Sequence, residues 1–455
     1  MKIGFIAPAL DLDRERKGER IFLLPPLTFP VLAALTPPDI EVKVIEERVQ
    51  PIPYEEDFDL VGITFVTAFA PHAYEIADRF RQKGVTVVLG GPHVSVMPQE
   101  ALQHAEAVVV GEAEEVWPRL IDDFRRNNLQ PVYRQNHLSD LSRFPWPRLE
   151  VIPKEFAFRN STLASKGCPF KCNFCFVNMF NGYRQRFRPV EDVIADLERM
   201  EGNPYQRKRV IFWDDNINGH PAYLKKLLRE MIPLKKKWAS AASATIANDP
   251  ELLDLLEKSG CTALFIGMES INTSSLRESA KYHNRVANYR EMVKRLHDHG
   301  IALTGAFVFG FDQDDTDTFD RTLEMMIDIE LDCMTPAILT PLPGTPLYRQ
   351  MVQQGRIFDH NWGDYDYFHV VFRPKQMSPE QLYEGFLEFN RRFFSYGSIF
   401  KRLSRSQTHL TLTILANLGY HGFYKRMIRE YRQGLRAAYS EFSVQPQALA
   451  QPLFV

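Results

Sequence analysis

Cysteine is scarce in this chain, five in 455 residues. No spacing among them makes a disulfide framework, so a reducing compartment is implied and a cytoplasmic location is expected. Net charge is nearly absent as well: 55 Lys and Arg against 57 Asp and Glu leave a formal −2. That balance offers no general attraction for nucleic acid or anionic membrane, and no nucleic-acid partner is expected. No uninterrupted apolar run approaches the ~18–20 residues of a membrane span, so no transmembrane segment is expected. The opening MKIGFIAPAL carries an apolar stretch too short for a signal peptide and reads as a first buried strand. What is present is globular: 45% hydrophobic and 25% charged residues. At this length two domains plus an extension are expected.

Three of the five cysteines crowd into Gly167-Cys168-Pro169-Phe170-Lys171-Cys172-Asn173-Phe174-Cys175-Phe176-Val177, spaced C-x3-C-x2-C. They supply three soft thiolates in one tight loop, with no fourth cysteine near enough to join them. A [4Fe–4S] cluster needs four ligands, so three thiolates leave one iron open to a substrate-like ligand. A structural zinc site closes with four Cys or His ligands, and this loop has neither His nor a second C-x2-C pair. Cys261 and Cys333 lie in apolar runs and read as core residues.

The loop resembles, residue for residue, the cluster loop of the radical S-adenosylmethionine (SAM) enzymes. The resemblance implies that Cys168, Cys172 and Cys175 are cluster ligands and catalytic. It also implies that the open iron chelates the amino and carboxylate groups of SAM, and that Phe174 packs near the adenine.

In residues 1–140 short apolar strands alternate with helical stretches. The strands are Lys2–Ala7, Ile40–Glu46, Leu60–Phe65, Thr86–Gly90 and Ala107–Gly111; the helices are His72–Lys83 and Ala113–Arg126. This alternation implies a doubly wound, Rossmann-like parallel sheet, whose ligands sit at the carboxyl ends of strands. Two glycines after a strand, Gly90 and Gly91, let backbone approach a bulky ligand. The run DLVGIT at 59–64, VVLGGPH at 87–93 and VVVGEAE at 108–114 resembles the cobalamin (B12)-binding domain that precedes many radical SAM domains. That resemblance implies contact with the corrin or its tail by Gly90, Gly91, Gly111 and Glu112, with Thr64 and Thr67 as further candidates. The D-x-H-x-x-G motif that supplies a lower-face histidine is absent. The implied cobalamin is therefore held without histidine ligation, or has been lost. His93 reads as a loop histidine near that pocket.

Residues 141–158 read as a linker. From 159 to 350 six strand–helix units can be counted, with strands Ser161–Lys166, Arg209–Trp213, Ala239–Ala244, Ala263–Gly267, Leu303–Phe309 and Cys333–Leu339. Six rather than eight units suggest a partial (β/α)6 barrel of TIM type, with the cysteine loop after the first strand at the C-terminal mouth. Polar groups end the other strands. Asp214 and Asp215 are candidates to pair with the SAM ammonium. Glu269 and Ser270 resemble a family motif that reaches the SAM ribose or methionyl end; Ser243 is assigned similar work, and Gly310 close passage beside the adenosyl group.

From 351 to 455 a helical extension is expected, starting at Ser378-Pro379 and carrying an aromatic stripe, Leu382, Phe386, Phe389 and Phe393, read as core packing. Basic helices follow around Phe400–Arg405 and Tyr424–Arg432, and the tail from Ser443 is expected to fray. The segment Trp362–Tyr367 with His369 is expected to cap a substrate cavity. The resemblance implies a cobalamin-dependent radical SAM enzyme: the cluster cleaves SAM reductively, a 5′-deoxyadenosyl radical abstracts hydrogen from an unactivated carbon, and methyl transfer from methylcobalamin follows. A cyclase or rearrangement enzyme, or a non-catalytic iron–sulfur protein, are the alternatives. The implied partners are a small-molecule or lipid-like substrate and a reductant such as flavodoxin or ferredoxin.

Overall fold

Alternate residues of the first strand, β1 (Lys2–Ala7), bury on opposite sides of a sheet. Ile3 and Phe5 enter one apolar layer with Phe29, Trp117 and Leu120; Ile6 enters another with Ile63, Ile76 and Phe80. Both faces are thus covered by helices, which is why the strands read as continuous apolar runs. The computed structural model describes residues 1–10, 24–156, 158–404, 406, 408 and 410–433.

The remaining strands of this sheet are β2 (Glu41–Glu46), β3 (Leu60–Thr64), β4 (Thr86–Gly90), β5 (Ala107–Val110) and β6 (Val132–Arg134). Their order is β2-β1-β3-β4-β5-β6, all parallel. Thr64 pairs with Gly90, so the carboxyl ends of β3 and β4 lie level. Several short elements escaped the sequence reading, the helices Pro92–Val96 and Pro98–Ala101 among them. β6 has only three residues, too few to show a period. The helix Thr28–Leu35 hides behind Pro30, which its first turn tolerates because N–H groups there have no helical partner.

In the second domain the expected strand Ser161–Lys166 is split into β7 (Ser161–Thr162) and β8 (Ser165–Lys166). The cause is Asp214, whose carboxylate accepts from the Ala164 N–H at 2.9 Å and from the Ser165 hydroxyl at 2.5 Å, drawing the chain out of the sheet. β8 pairs antiparallel with β9 (Arg186–Phe187) and so ties together the two ends of the cysteine loop. The other strands are β10 (Arg209–Phe212), β11 (Lys237–Ala242), β12 (Cys261–Glu269), β13 (Ala302–Phe309) and β14 (Cys333–Ile338). The sheet runs β14-β13-β12-β11-β10-β7, all parallel and in sequence order. Among the described residues β7 and β14 have no pairing with each other, which is the open barrel that six units predict. Asp249 caps the helix Pro250–Ser259 through the Leu252 N–H at 3.1 Å, as its sequence implies.

The C-terminal helices complete the barrel's core. Ser378 starts the helix Pro379–Phe393 with a capping box, and Leu382, Phe386, Phe389 and Phe393 are all buried. The Phe389 ring lies 4.8 Å from that of Phe309 in β13. Helices Tyr396–Leu403 and Leu410–Arg432 follow; Arg405 and the tail from Ser443 lie outside the described residues. The segment Trp362–Tyr367 mostly does something other than cap a cavity. Trp362 and Tyr365 join the apolar layer of the first domain, and the Trp362 indole donates to Glu100 at 3.1 Å. Among the described residues no helix is long and apolar enough to cross a membrane.

Candidate active site

Gly167 opens the cysteine loop in a left-handed conformation, φ +91°. A Cβ there would collide with the Arg184 carbonyl, so the residue before Cys168 must be glycine. Strand-end groups then pin the loop. Asp215 accepts from the Gly167 N–H at 2.7 Å, and Asn216 donates its amide to the Cys168 sulfur at 3.5 Å. Asn173 donates its amide to the Glu278 carbonyl at 3.0 Å, and Asn178 braces the Phe170 carbonyl at 2.8 Å. Cys172 is buried, while Cys168 and Cys175 are partly exposed. Burial pushes the thiol of Cys172 up to about 11 and that of Cys175 to about 12. Any metal that binds here must displace those protons.

A buried cation faces this loop. Lys281 donates to Glu269 at 2.6 Å, with both residues under 10% exposed, and its charge acts on all three thiols. Glu269 sits at φ +65°, a strained conformation for a residue with a side chain. Gly267 makes room for the pair, since a Cβ there would overlap the Glu269 carboxylate and approach the Lys281 ammonium to 2.6 Å. Asn284 holds the strand end by donating to the Gly267 and Met268 carbonyls at 2.9 and 3.0 Å. Ser270 accepts from the Asn272 N–H, and Ser243 bonds to Asn218 and Thr245. Three thiols in one loop, beside a buried ammonium that offsets thiolate charge, suit an iron–sulfur cube. Among the described residues no three His, Cys, Asp or Glu side chains converge as a single-ion shell does. A cube instead spreads its cysteines over separate irons.

Tyr367 joins the same neighbourhood with φ +69°. The residue is 47% exposed, yet burial first and the Cys175 charge second push its hydroxyl up to about 12. The side chain therefore lies within electrostatic reach of the cysteine loop. Asp366 sets the turn behind it by accepting from the Phe368 and His369 N–H groups at 2.8 and 3.0 Å. Lys281, Asn216 and Asn218 are not among the expected site residues, whereas Tyr367 falls in the segment expected to cap the cavity. Only the buried ammonium had any signal, a lysine twelve residues after Glu269, and that spacing alone says nothing.

A second concavity, of about 420 Å³, lies at the carboxyl ends of β3, β4 and β5. Thr64, Gly90, Gly91, Gly111 and Glu112 line it, together with apolar Phe5, Val88 and Val109. Gly91 has φ +98°, and a Cβ on it would come within 2.5 Å of the Thr64 hydroxyl. A smooth apolar cradle edged by glycines fits a flat macrocycle. Its far wall comes from the barrel side, through Leu163, Lys166, Phe180 and Trp213. Glu112 anchors that wall: Arg186 donates to both its oxygens at 2.8 and 2.6 Å, and Ser139 donates its N–H at 2.9 Å. Burial alone would raise the Glu112 pKa, but Arg186 and Lys166 hold it down at about 2.

Four expected contacts, His93, Thr67, Gly310 and Asp214, are engaged elsewhere in the fold. His93 is fully buried on the helix Pro92–Val96; its ring nitrogens meet the Thr67 hydroxyl at 3.3 Å and Glu100 at 3.2 Å, so neither it nor Thr67 reaches the cavity. No described residue lining the cavity is a histidine. Gly310 faces Leu382 and Phe372 of the C-terminal segment, where a Cβ would come within 2.9 Å, so it buttresses the core. Asp214 is spent on Ala164 and Ser165, and its buried carboxyl is raised to about 7. Asp215 is raised by burial too, although its bond from the Gly167 N–H and the charges of Lys166 and Arg186 act the other way. Phe174 packs edge-on to Phe311, with centroids 6.3 Å apart.

Comparison with known proteins agrees with both halves. A model of the radical SAM superfamily matches residues 162–326, and one of the B12 binding domain matches residues 32–121. The bacteriochlorophyllide d C-12(1)-methyltransferase of Chlorobaculum tepidum is 33% identical over 393 residues, 83% of this chain and 84% of that protein. An anaerobic magnesium-protoporphyrin IX monomethyl ester cyclase of Cereibacter sphaeroides is 24% identical, covering 74% of this chain and 60% of that one. The structure of TsrM, a radical SAM methyltransferase from Kitasatospora setae with cobalamin and [4Fe-4S] cluster bound, superposes with a TM-score of 0.68 at 16% identity. It covers 96% of this chain and all of that one, a likeness of fold. With both domain models matched in order and a relative of this identity aligned along most of both chains, the chain belongs to the radical SAM superfamily, in the branch that carries an N-terminal B12-binding domain.

Proposed function

We propose that the protein is a cobalamin-dependent radical SAM C-methyltransferase acting on an extended, largely apolar small molecule. One observation carries this reading: the glycine-edged cavity of the first domain is walled on its far side by the strand ends that also hold the cysteine loop. Cys168, Cys172 and Cys175 would hold the cluster. Gly90, Gly91, Gly111, Thr64 and Glu112 would hold the corrinoid, without a histidine below it. When bound, the cluster supplies an electron that cleaves SAM, and cobalamin supplies the methyl group.

The chain's own residues do the positioning. Asp214, Asp215 and Asn216 fix the cysteine loop to the barrel mouth, while Glu269 and Lys281 set the charge beside it. Asp215, whose second oxygen has no bond to the loop among the described residues, would receive the SAM ammonium. Trp213, which lines the glycine-edged cavity, and Tyr367, within reach of the Cys175 charge, would flank the two cofactor positions. A flavodoxin- or ferredoxin-like protein would deliver the electron, in the cytoplasm.

The test is anaerobic turnover of reconstituted protein with SAM, methylcobalamin and a strong reductant, on tetrapyrrole and polycyclic lipid candidates. A product heavier by one methylene is expected, with 5′-deoxyadenosine. An unchanged carbon count with hydrogen loss would favour a cyclase, the reading that the Cereibacter relative supports. Absence of 5′-deoxyadenosine with every candidate would favour a non-catalytic iron–sulfur protein.

A further inference from the structure

The last long helix presents a face that the barrel does not use. Asn417, Phe423, Tyr424 and Met427 of Leu410–Arg432 are buried, and the Asn417 side-chain oxygen accepts from the buried Arg402 guanidinium at 2.8 Å. The opposite stripe reads Leu412, Leu415, Leu418, Gly422, Lys425, Arg429, Arg432, at spacings of three and four that keep it on one side. Its leucines are 38, 42 and 40% exposed. Beside it runs the helix Tyr396–Leu403, located by the Tyr396 ring 4.5 Å from that of His421. That neighbour exposes Tyr396 and Phe400, and Phe400, at 75%, is the most exposed large apolar side chain among the described residues.

Charge on this face departs from the rest of the chain. Between residues 391 and 433 nine Lys and Arg stand against one acid, Glu430, in a chain whose formal charge is −2. Some of the cations are occupied: Arg402 is buried, Arg392 pairs with Asp320, and Arg391 with Glu388. Among the described residues Lys425, Arg429 and Arg432 enter no ion pair, although the Arg432 charge acts on Glu388 of the preceding helix. They line a groove of about 760 Å³ whose floor includes the rings of Phe394, Tyr396 and Tyr424. A merely solvated basic face would not carry leucines and a phenylalanine turned to water on the same side. An interfacial face needs both, apolar groups to enter the headgroup boundary and cations to meet lipid phosphates.

We infer that the pair of helices Tyr396–Leu403 and Leu410–Arg432 docks the protein flat on an anionic lipid surface. Phe400, Leu412, Leu415 and Leu418 enter the headgroup boundary while Lys425, Arg429 and Arg432 meet the phosphates. The helices lie on the surface and do not cross it. The inference stands apart from the methyltransferase reading, so either can fail alone.

The test uses the full chain with its cluster reconstituted, sedimented with vesicles of equimolar phosphatidylcholine and phosphatidylglycerol, and separately with phosphatidylcholine alone. Pelleting with the anionic vesicles, release by high salt and little pelleting with the neutral ones are expected. Each of Lys425→Gln and Arg429→Gln should weaken partitioning about fivefold, following the worth of a single surface cation. Phe400→Asp should weaken it further, and all three variants should keep wild-type iron content. Retention in the supernatant with both vesicles, equal binding to both, or unaltered binding by the variants would each overturn the inference. So would a dimer that Phe400→Asp dissociates, since a second copy would then be the occupant.

Discussion

The cysteine loop and the corrinoid cradle are built on opposite plans. The loop is held by directed polar contacts: Asp215 to Gly167, Asn216 to Cys168, Asp214 to Ser165, and the buried Lys281–Glu269 pair facing it. The cradle is held by shape. Its walls are apolar side chains and glycines, and Glu112 is the main charged tie at its edge. A few atoms in fixed chemistry define the first, and missing side-chain volume defines the second. Damage should follow that division. Loop substitutions should remove chemistry all at once, and cradle substitutions should reduce fit by degrees.

The sharpest break is Cys172→Ala, which should abolish the iron–sulfur absorbance and all SAM cleavage while leaving the far-ultraviolet circular dichroism unchanged. Next in size is Lys281→Met. It strands the Glu269 carboxylate in a buried site and should cost about 3–5 kcal/mol in denaturant unfolding of the cluster-free protein. Lys281→Arg should recover much of that loss. Gly91→Val places a side chain at φ +98° against the Thr64 hydroxyl and should cost roughly 2–4 kcal/mol. It should lower the corrinoid retained on purification with the iron content kept; loss of both together would break the division drawn above.

The tie at Glu112 predicts a pH dependence. Its folded pKa of about 2 lies below the ordinary 4.5, so the stabilisation is complete above pH 4.5 and is lost as pH falls toward 2. In the cluster-free protein that loss should be on the order of 2 kcal/mol, and Glu112→Gln should flatten it. The smallest effect belongs to Cys333→Ala, about 1 kcal/mol in stability with iron content unchanged, because this buried thiol serves packing.

Much of this was legible beforehand, for reasons that differ by element. Strands such as Thr86–Gly90 and Cys333–Ile338 appear where apolar runs imply them, because a sheet covered on both faces leaves no alternation to misread. The strand Ser161–Lys166 reads as continuous in the sequence because the carboxylate that splits it, Asp214, comes some fifty residues later. His93 reads as a loop histidine near the pocket because it follows Gly-Gly-Pro. Its partners Thr67 and Glu100 and its neighbour Trp362 come from three other segments. Tyr367 and Lys281 carry no local motif at all. Their importance arises from a backbone angle and from burial, which no spacing records.

By itself the sequence determined the chemistry of the three thiols and the succession of strands and helices. Both depend on residues close together along the chain, where spacing sets geometry directly. Only the tertiary structure decided which charges face those thiols, which glycines leave room for a macrocycle, and which faces remain open to water. Those depend on side chains brought together by packing, and packing follows from the burial of the whole core.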